Sequence, residues 1–168
     1  MSRSWWSTAL GLLVAGGVIG LAVSSLKKNP VDEIEDLFVG VTGRDYRYHF
    51  QYAGDDLKLH SADDRHGVQN LHVPHGARVH LELTSDDYVY LIEIPELNIY
   101  EVLAPGLKFS IQFDTPSQGS YELLGSQMCG YDHEELLGKL IVESPSSFWR
   151  TVRALPSTPL PTSRDIRQ

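Results

Sequence analysis

The 168-residue chain predicts an all-β sandwich or barrel over roughly residues 40–143, preceded by one N-terminal transmembrane helix. Three observations carry this: short runs with apolar/polar alternation, turn residues in the gaps between them, and an uncharged apolar stretch near the start. Alternation with period 2 turns one face of a strand to a core and the other to water. Several such strands with no convincing helix among them indicate a two-sheet or barrel domain of about 100 residues.

Ser4–Leu26 holds no charged residue; Trp5 and Trp6 open it and Lys27-Lys28 closes it. Twenty-two helical residues rise about 33 Å, enough to cross a hydrocarbon layer roughly 30 Å thick. Aromatic residues at one boundary suit an interfacial anchor. Residues 1–28 therefore read as a single membrane anchor. The competing reading is a secretory signal peptide cleaved after an Ala22-Val23-Ser24 step. Against it, Arg3 alone supplies the charged leader, and the uncharged run is longer than a usual signal core. Residues 29–39 read as a linker, in which Val31–Leu37 is compatible with a short helix and better read as a spacer.

Within residues 40–143, Tyr46, Tyr48, Phe50 and Tyr52 form a period-2 aromatic run. Ala77, Val79, Leu81 and Leu83 alternate with Arg78, His80, Glu82 and Thr84, as a half-buried strand requires. Tyr88–Ile94 is apolar on nearly both faces, the pattern of a central strand, and Phe109, Ile111 and Phe113 alternate with polar neighbours. Lys139–Val142 closes the domain. Turns are marked at Gly54-Asp55-Asp56, Pro74-His75-Gly76, Ala104-Pro105-Gly106 and Pro116–Gly119. Residues 144–168, with Pro145, Pro156, Pro159, Pro161 and four arginines, read as a solvated Pro/Ser/Arg-rich tail.

Charge and cysteine count narrow the function. Fourteen Lys and Arg face 22 Asp and Glu, a net charge of −8. Residues 29–144 alone carry 21 acidic and 7 basic side chains, a net charge of −14. Such a domain repels phosphate backbones, which excludes nucleic acid as a partner, and speeds encounter with cationic ones. A single cysteine excludes an intrachain disulfide and every site that needs two thiolates from this chain. Lys27 and Lys28 outnumber the charge at Arg3 and the amino terminus only marginally, so charge alone weakly favours a cytoplasmic domain.

The segment Ser126–His133 (SQMCGYDH), following an acidic strand and preceding an apolar one, resembles the copper loop of cytochrome c oxidase subunit II, Cys-x-Glu/Gln-x-Cys-x3-His-x2-Met. The aromatic strand Val41–Tyr52, the turn Val73–Gly76, then Leu81–Asp87, Ile94–Leu97 and Ala104–Gly106 follow in that family's order and spacing. The resemblance implies a cupredoxin-like Greek-key sandwich behind the anchor. It also implies a ligand set in which most positions are lost. Tyr90 stands where the family has its first histidine ligand, Gly125 at the first bridging cysteine, and Leu136 at the methionine. Gln127 falls at the backbone-carbonyl ligand, which any side chain serves, while Cys129 and His133 retain the second cysteine and second histidine. Tyr46 replaces the tryptophan by which electrons commonly enter.

A dinuclear copper (CuA) centre holds its two ions together with two bridging thiolates, and this chain has one sulfhydryl. The dinuclear centre is excluded within one chain. Cys129 and His133 remain a candidate half-site for a mononuclear copper, which favours soft sulfur with nitrogen. Its third ligand would come from Met128, Glu93 or Tyr90. Red-copper proteins similar to this fold use Cys, His and Glu, but alternation turns Glu93 to the face opposite Tyr90. Absence of any metal is the leading expectation, with Cys129 a small buried hydrophobe and His133 a hydrogen-bonded loop residue.

His60, His66, His72, His75 and His80 fit no compact ligand spacing and read as a wet sheet surface. There is no Ser-His-Asp grouping, glycine-rich phosphate loop or Cys-x-x-Cys pair. Asp86 and Asp87, with Asp132, Glu134 and Glu135, lie on two loops that the family brings to one end of the sandwich. There the resemblance implies docking of a cationic cytochrome c; a merely solvated acidic surface is the equal alternative.

The expected function is a non-catalytic, membrane-anchored subunit-II-like component of a heme-copper oxidase or related respiratory complex. Its domain would lie on the extracytoplasmic side and its catalytic partner subunit in the membrane. Quinol-oxidising relatives, whose second subunit keeps the fold without the metal, set the precedent. The alternative is an anchored mononuclear copper protein for electron transfer or redox sensing through Cys129 and His133, and a third reading is a stand-alone binding module.

Overall fold

The computed structural model describes residues 34–127 and 136–159. Ten strands, β1 (Asp36–Arg44), β2 (Arg47–Tyr52), β3 (Arg65–Val68), β4 (Leu71–Pro74), β5 (Arg78–Ser85), β6 (Tyr90–Ile94), β7 (Ile99–Leu103), β8 (Phe109–Asp114), β9 (Gly119–Gln127) and β10 (Gly138–Glu143), are followed by one helix, α1 (Pro145–Ala154). They form two five-stranded sheets, ordered β3-β2-β1-β5-β8 and β4-β10-β9-β6-β7. Within them β1 runs parallel to β5 and β4 parallel to β10, while the other pairs are antiparallel.

The core fills the space between the sheets. Leu37, Val39 and Val41 of β1, Tyr48, Phe50 and Tyr52 of β2, and Val79, Leu81 and Leu83 of β5 are buried from one side. Tyr90, Ile92 and Ile94 of β6, Leu123 of β9 and Leu140 and Val142 of β10 meet them from the other. Burying each such side chain contributes about 1.5–3 kcal/mol. Register is fixed by that alternation, since a one-residue slip would turn the whole apolar set outward.

Four expectations are corrected. The linker expected over residues 29–39 ends early: β1 begins at Asp36, and the whole strand through Gly43 pairs with β5. Tyr88–Ile94 is not apolar-buried on both faces. The strand begins at Tyr90, and Leu91 and Glu93 are half-buried because they alternate to the face of the sheet turned away from the core. Phe109, Ile111 and Phe113 alternate as expected, but β8 is itself an edge and Phe109 stays 37% exposed. The solvated tail expected from Ser144 starts instead with a packed helix, α1.

That helix has a local cause. Ser144 caps it, its hydroxyl accepting the Ser147 N–H at 3.3 Å, and Pro145 fills the first turn, where an N–H is not needed. Phe148 and Val152, four residues apart, form one buried stripe, and the Phe148 ring meets Tyr52 edge-on at 6.1 Å. Glu143 fastens the junction, accepting hydrogen bonds from the Ser147 and Thr151 hydroxyls and lying 2.7 Å from His72 Nδ1. Burial would raise the Glu143 carboxyl, but the bonds from His72, Ser147 and Thr151 outweigh it and hold the group low. Beyond α1 the chain turns along β3, where the His66 N–H donates to the Pro156 carbonyl at 2.9 Å.

Among the described residues no helix is long and apolar enough to cross a membrane. The expected anchor over residues 1–28 lies outside them.

Two stability predictions follow from this packing. Phe148→Ala should cost roughly 3 kcal/mol and Ser144→Ala about 1 kcal/mol in chemical denaturation; a solvated tail would leave both near zero. The second concerns acid. Burial first, then the Arg44 guanidinium, push the His49 imidazole down to about 4 from its ordinary 6.5, and burial also lowers His66. Between those pH values the unfolded chain binds more protons than the folded one, so stability falls as pH drops from about 6.5 toward 4. The denaturation midpoint should be lower at about pH 5 than at about pH 7, with a shallower drop in His49→Gln.

Candidate functional site

Of the positions the resemblance singles out, Tyr90, Gly125 and Tyr46 lie where β1 turns into β2, β5 passes to β6, and β9 nears its end. The β1–β2 connection is a two-residue turn, Asp45-Tyr46, closed by the Arg44–Arg47 pair. Both residues have positive φ, 50° and 60°, the geometry that suits the right-handed twist of a hairpin but costs a side-chain-bearing residue about 1 kcal/mol or more. Bonds from the neighbouring loop hold it: the Asp45 N–H donates to Asp87 Oδ2 at 2.8 Å, and the Tyr46 N–H reaches the Tyr90 hydroxyl at 3.3 Å. The Tyr46 ring stacks on Tyr88 at 5.4 Å.

Tyr90, where the resemblance implies a histidine ligand, is fully buried, and its hydroxyl donates to Asp87 Oδ1 at 2.7 Å. Burial first and the adjacent Asp87 carboxylate second push its pKa up, so the phenol stays protonated. Its ring lies on the bare backbone of Gly43 in the opposite sheet, where a Cβ would come 2.4 Å from Tyr90 Cδ2. Tyr48 makes the reciprocal contact. Its hydroxyl donates to the Leu91 carbonyl, and burial raises its pKa as well. It occupies the space above Gly125, where a Cβ would stand 2.2 Å from Tyr48 Oη and 2.7 Å from Cζ. The two rings meet edge-on at 6.5 Å and 70°, a pairing worth about 0.5–1.5 kcal/mol beyond burial.

A bridged copper pair does not fit these positions. Tyr90 offers a protonated phenol already committed to Asp87, Gly125 has neither a donor nor room for a side chain, and Leu136 is a fully buried hydrocarbon. Glu93 lies on the half-exposed face of β6, opposite Tyr90, as alternation requires. Cys129 and His133, with Met128, lie outside the described residues. The histidines expected on the surface are dispersed: His72 is on β4 beside Glu143, His80 on β5 beside Asp36 at 2.7 Å, and His66 on β3. His75 sits in a turn with its Nδ1 3.1 Å from the Pro116 carbonyl, and His60 faces Glu82 at 3.3 Å. Among the described residues no three His, Cys, Asp or Glu side chains converge as a metal site.

The two described members of the expected acidic docking patch differ in kind. Asp86 is half exposed and pairs with Arg44 at 3.5 Å. Asp87 uses both oxygens inward, one for Tyr90 and the Tyr88 N–H, the other for Asp45. It is a brace for the site rather than a docking charge. Asp132, Glu134 and Glu135 lie outside the described residues. Sequence reading counted Tyr48 as one aromatic among four and missed the brace at Asp87. The available signal was the pair of glycines inside strands, Gly43 and Gly125, since a strand glycine often marks a close approach by another group.

Comparison with known proteins gives this end of the sandwich its lineage. Residues 43–142 match the cupredoxin-like domain family. Cytochrome c oxidase subunit 2 of Thermostichus vulcanus is 28% identical over 134 residues, covering 77% of this chain and 38% of that protein. Alternative cytochrome c oxidase subunit 2 of Bradyrhizobium diazoefficiens is 27% identical over 169 residues, covering 86% of this chain and 60% of that protein. The chain thus spans less than two thirds of either relative. Among solved structures, the periplasmic domain of subunit II of cytochrome oxidase (CoxB) of Bradyrhizobium japonicum superposes with a TM-score of 0.61 at 16% identity, over 74% of this chain and 96% of that domain. The chain belongs to the cupredoxin-like domain family, and within it is homologous to subunit 2 of cytochrome c oxidase.

Proposed function

We propose that the chain is a membrane-anchored, non-catalytic subunit-II-like component of a heme-copper oxidase or related respiratory complex, with the redox chemistry on another subunit. One observation supports the reading: the cupredoxin-like fold is kept, and where the resemblance implies three copper ligands the chain has Tyr90, Gly125 and Leu136, side chains packed into the domain core or bare of any donor. What remains is a scaffold. It presents a braced loop end to a partner and is tied to the membrane through the apolar run Ser4–Leu26.

The geometry suits that task. The chain enters the described fold at Ile34, beside the start of β1, while the site lies at the other end of that strand. Nine residues in extended form separate the two by about 27 Å, so an anchor before Ile34 would leave the site end turned toward a partner rather than buried at the tether. The likeness to a subunit II periplasmic domain supports the extracytoplasmic side, against the weak signal of Lys27 and Lys28. The partner is the catalytic oxidase subunit in the membrane, and a cationic cytochrome c is the second partner that Asp86 with Asp132, Glu134 and Glu135 would attract. A mononuclear copper on Cys129 and His133 is the competing reading. The described candidates for its third ligand are poorly placed, since Tyr90 is bonded to Asp87 and Glu93 faces away.

Two experiments decide. Gentle solubilisation of membranes followed by affinity capture of this chain should bring down a heme-bearing partner; capture of the chain without any heme protein would refute the oxidase role. Titration of the purified full chain with copper should give neither a thiolate-to-copper charge-transfer band nor bound metal after desalting. A band at one equivalent that disappears in Cys129→Ala would replace the copper-free reading with the mononuclear one.

A further inference from the structure

The geometry points to a metal-independent clasp: Tyr48 and Tyr90, each seated on a glycine of the opposite sheet, have taken over the cross-linking of this end of the sandwich, and Tyr48 closes the site to a side chain at position 125. The inference rests on the copper-free part of the proposed function and adds a residue, Tyr48, that lies outside every ligand position. A bound metal stabilises a fold because ligands from separate segments converge on one ion, so that its binding free energy becomes folding free energy. In this chain phenols instead tie the paired strands β6 and β9, which carry positions 90 and 125, to β1 and β2 of the opposite sheet.

Tyr48 belongs to β2 in one sheet and donates its hydroxyl to Leu91 of β6 in the other. Tyr90 belongs to β6, rests on Gly43 of β1, donates to Asp87 in the β5–β6 loop and accepts from Tyr46 in the β1–β2 turn. Two side chains therefore tie both sheets and two of the loops at this end. Each is almost wholly buried, 1% and 0% exposed, and each hydroxyl has found an acceptor, which removes the penalty for burying it. The arrangement also explains why losing ligands at this end need not leave a void: Tyr48 fills the volume beside Gly125, with its Oη, Cε2 and Cζ all within 2.7 Å of the place a Cβ would take. A contact that close does not exist in folded proteins, so any residue larger than glycine must displace a buried ring that has Tyr90 against its edge. Changing the ligand positions back is then insufficient to recreate a copper site.

The test is a double-mutant cycle on the full chain in detergent, read by thermal unfolding. Gly125→Ala should lower Tm by several degrees, Tyr48→Ala should lower it by creating a cavity, and the double variant should lose clearly less than the two combined, because the clash is gone once the ring is trimmed. Tyr48→Phe, which keeps the ring and deletes only the bond to Leu91, should show a smaller loss. None of these values should move when chelator or copper is added. Additive behaviour of positions 48 and 125, or a Gly125→Ala chain as stable as the parent, overturns the clasp. A Gly125→Ala chain that fails to fold supports it if trimming Tyr48 restores folding, and overturns it if trimming does not.

A second arm uses the ligand-restored chain Tyr90→His/Gly125→Cys/Leu136→Met. It should fail to retain two copper ions with Tyr48 in place, and uptake of two ions with an electron shared between them would overturn closure by Tyr48. Copper uptake by the unaltered chain would instead strike the copper-free reading, so the two failures are distinguishable.

Discussion

The exchange of tyrosines and glycines between the two sheets is the constraint from which the rest of the site end follows. Gly43 lets the Tyr90 ring lie on β1, and Gly125 lets the Tyr48 ring lie on β9, each at a separation no side chain would allow. Because both contacts cross between sheets, they set how closely the sheets approach at this end. The hydroxyls then have fixed addresses, Leu91 for one and Asp87 with Tyr46 for the other. Asp87 in turn pins the strained Asp45-Tyr46 turn. A local backbone cost is thereby met by non-local bonds, the usual condition under which such conformations persist.

This view changes the meaning of the acidic loop. Asp86 and Asp87 are adjacent in sequence and chemically identical, yet one faces solvent beside Arg44 and the other is a structural acceptor whose carboxylate takes three hydrogen bonds. Long-range attraction toward a cationic partner depends on the net charge of the domain, which both residues serve. Specific contact depends on exposed oxygens, which only Asp86 offers.

Much of the fold was legible because its signals are local. The alternation in Val79–Leu83 and in Tyr48–Tyr52 needs only neighbouring residues to be read, and both runs are strands with the expected face inward. Family order across Val41–Gly106 was legible for the same reason, through turns and strand spacing. Helix α1 was hidden: its buried stripe is two residues, Phe148 and Val152, set among serine, threonine and arginine that read as tail. The Ser144-Pro145 start signal was present but is brief. Positions 90, 125 and 136 could be singled out from the sequence through the resemblance; the packing that surrounds them could not. Tyr48 lies 77 positions before Gly125, and no periodicity links residues that meet only when two sheets close.

The segment after α1 has a consequence for the sheet it follows. β3 is an outer strand, and an outer strand offers unpaired backbone groups to any passing chain. Here the place beside His66 is already taken by Pro156 of the same molecule. Proline accepts through its carbonyl but has no N–H to pass onward, and Pro159 lies three residues further along. The ladder is therefore terminated rather than merely covered on that side, which protects crowded copies of this domain from joining edge to edge.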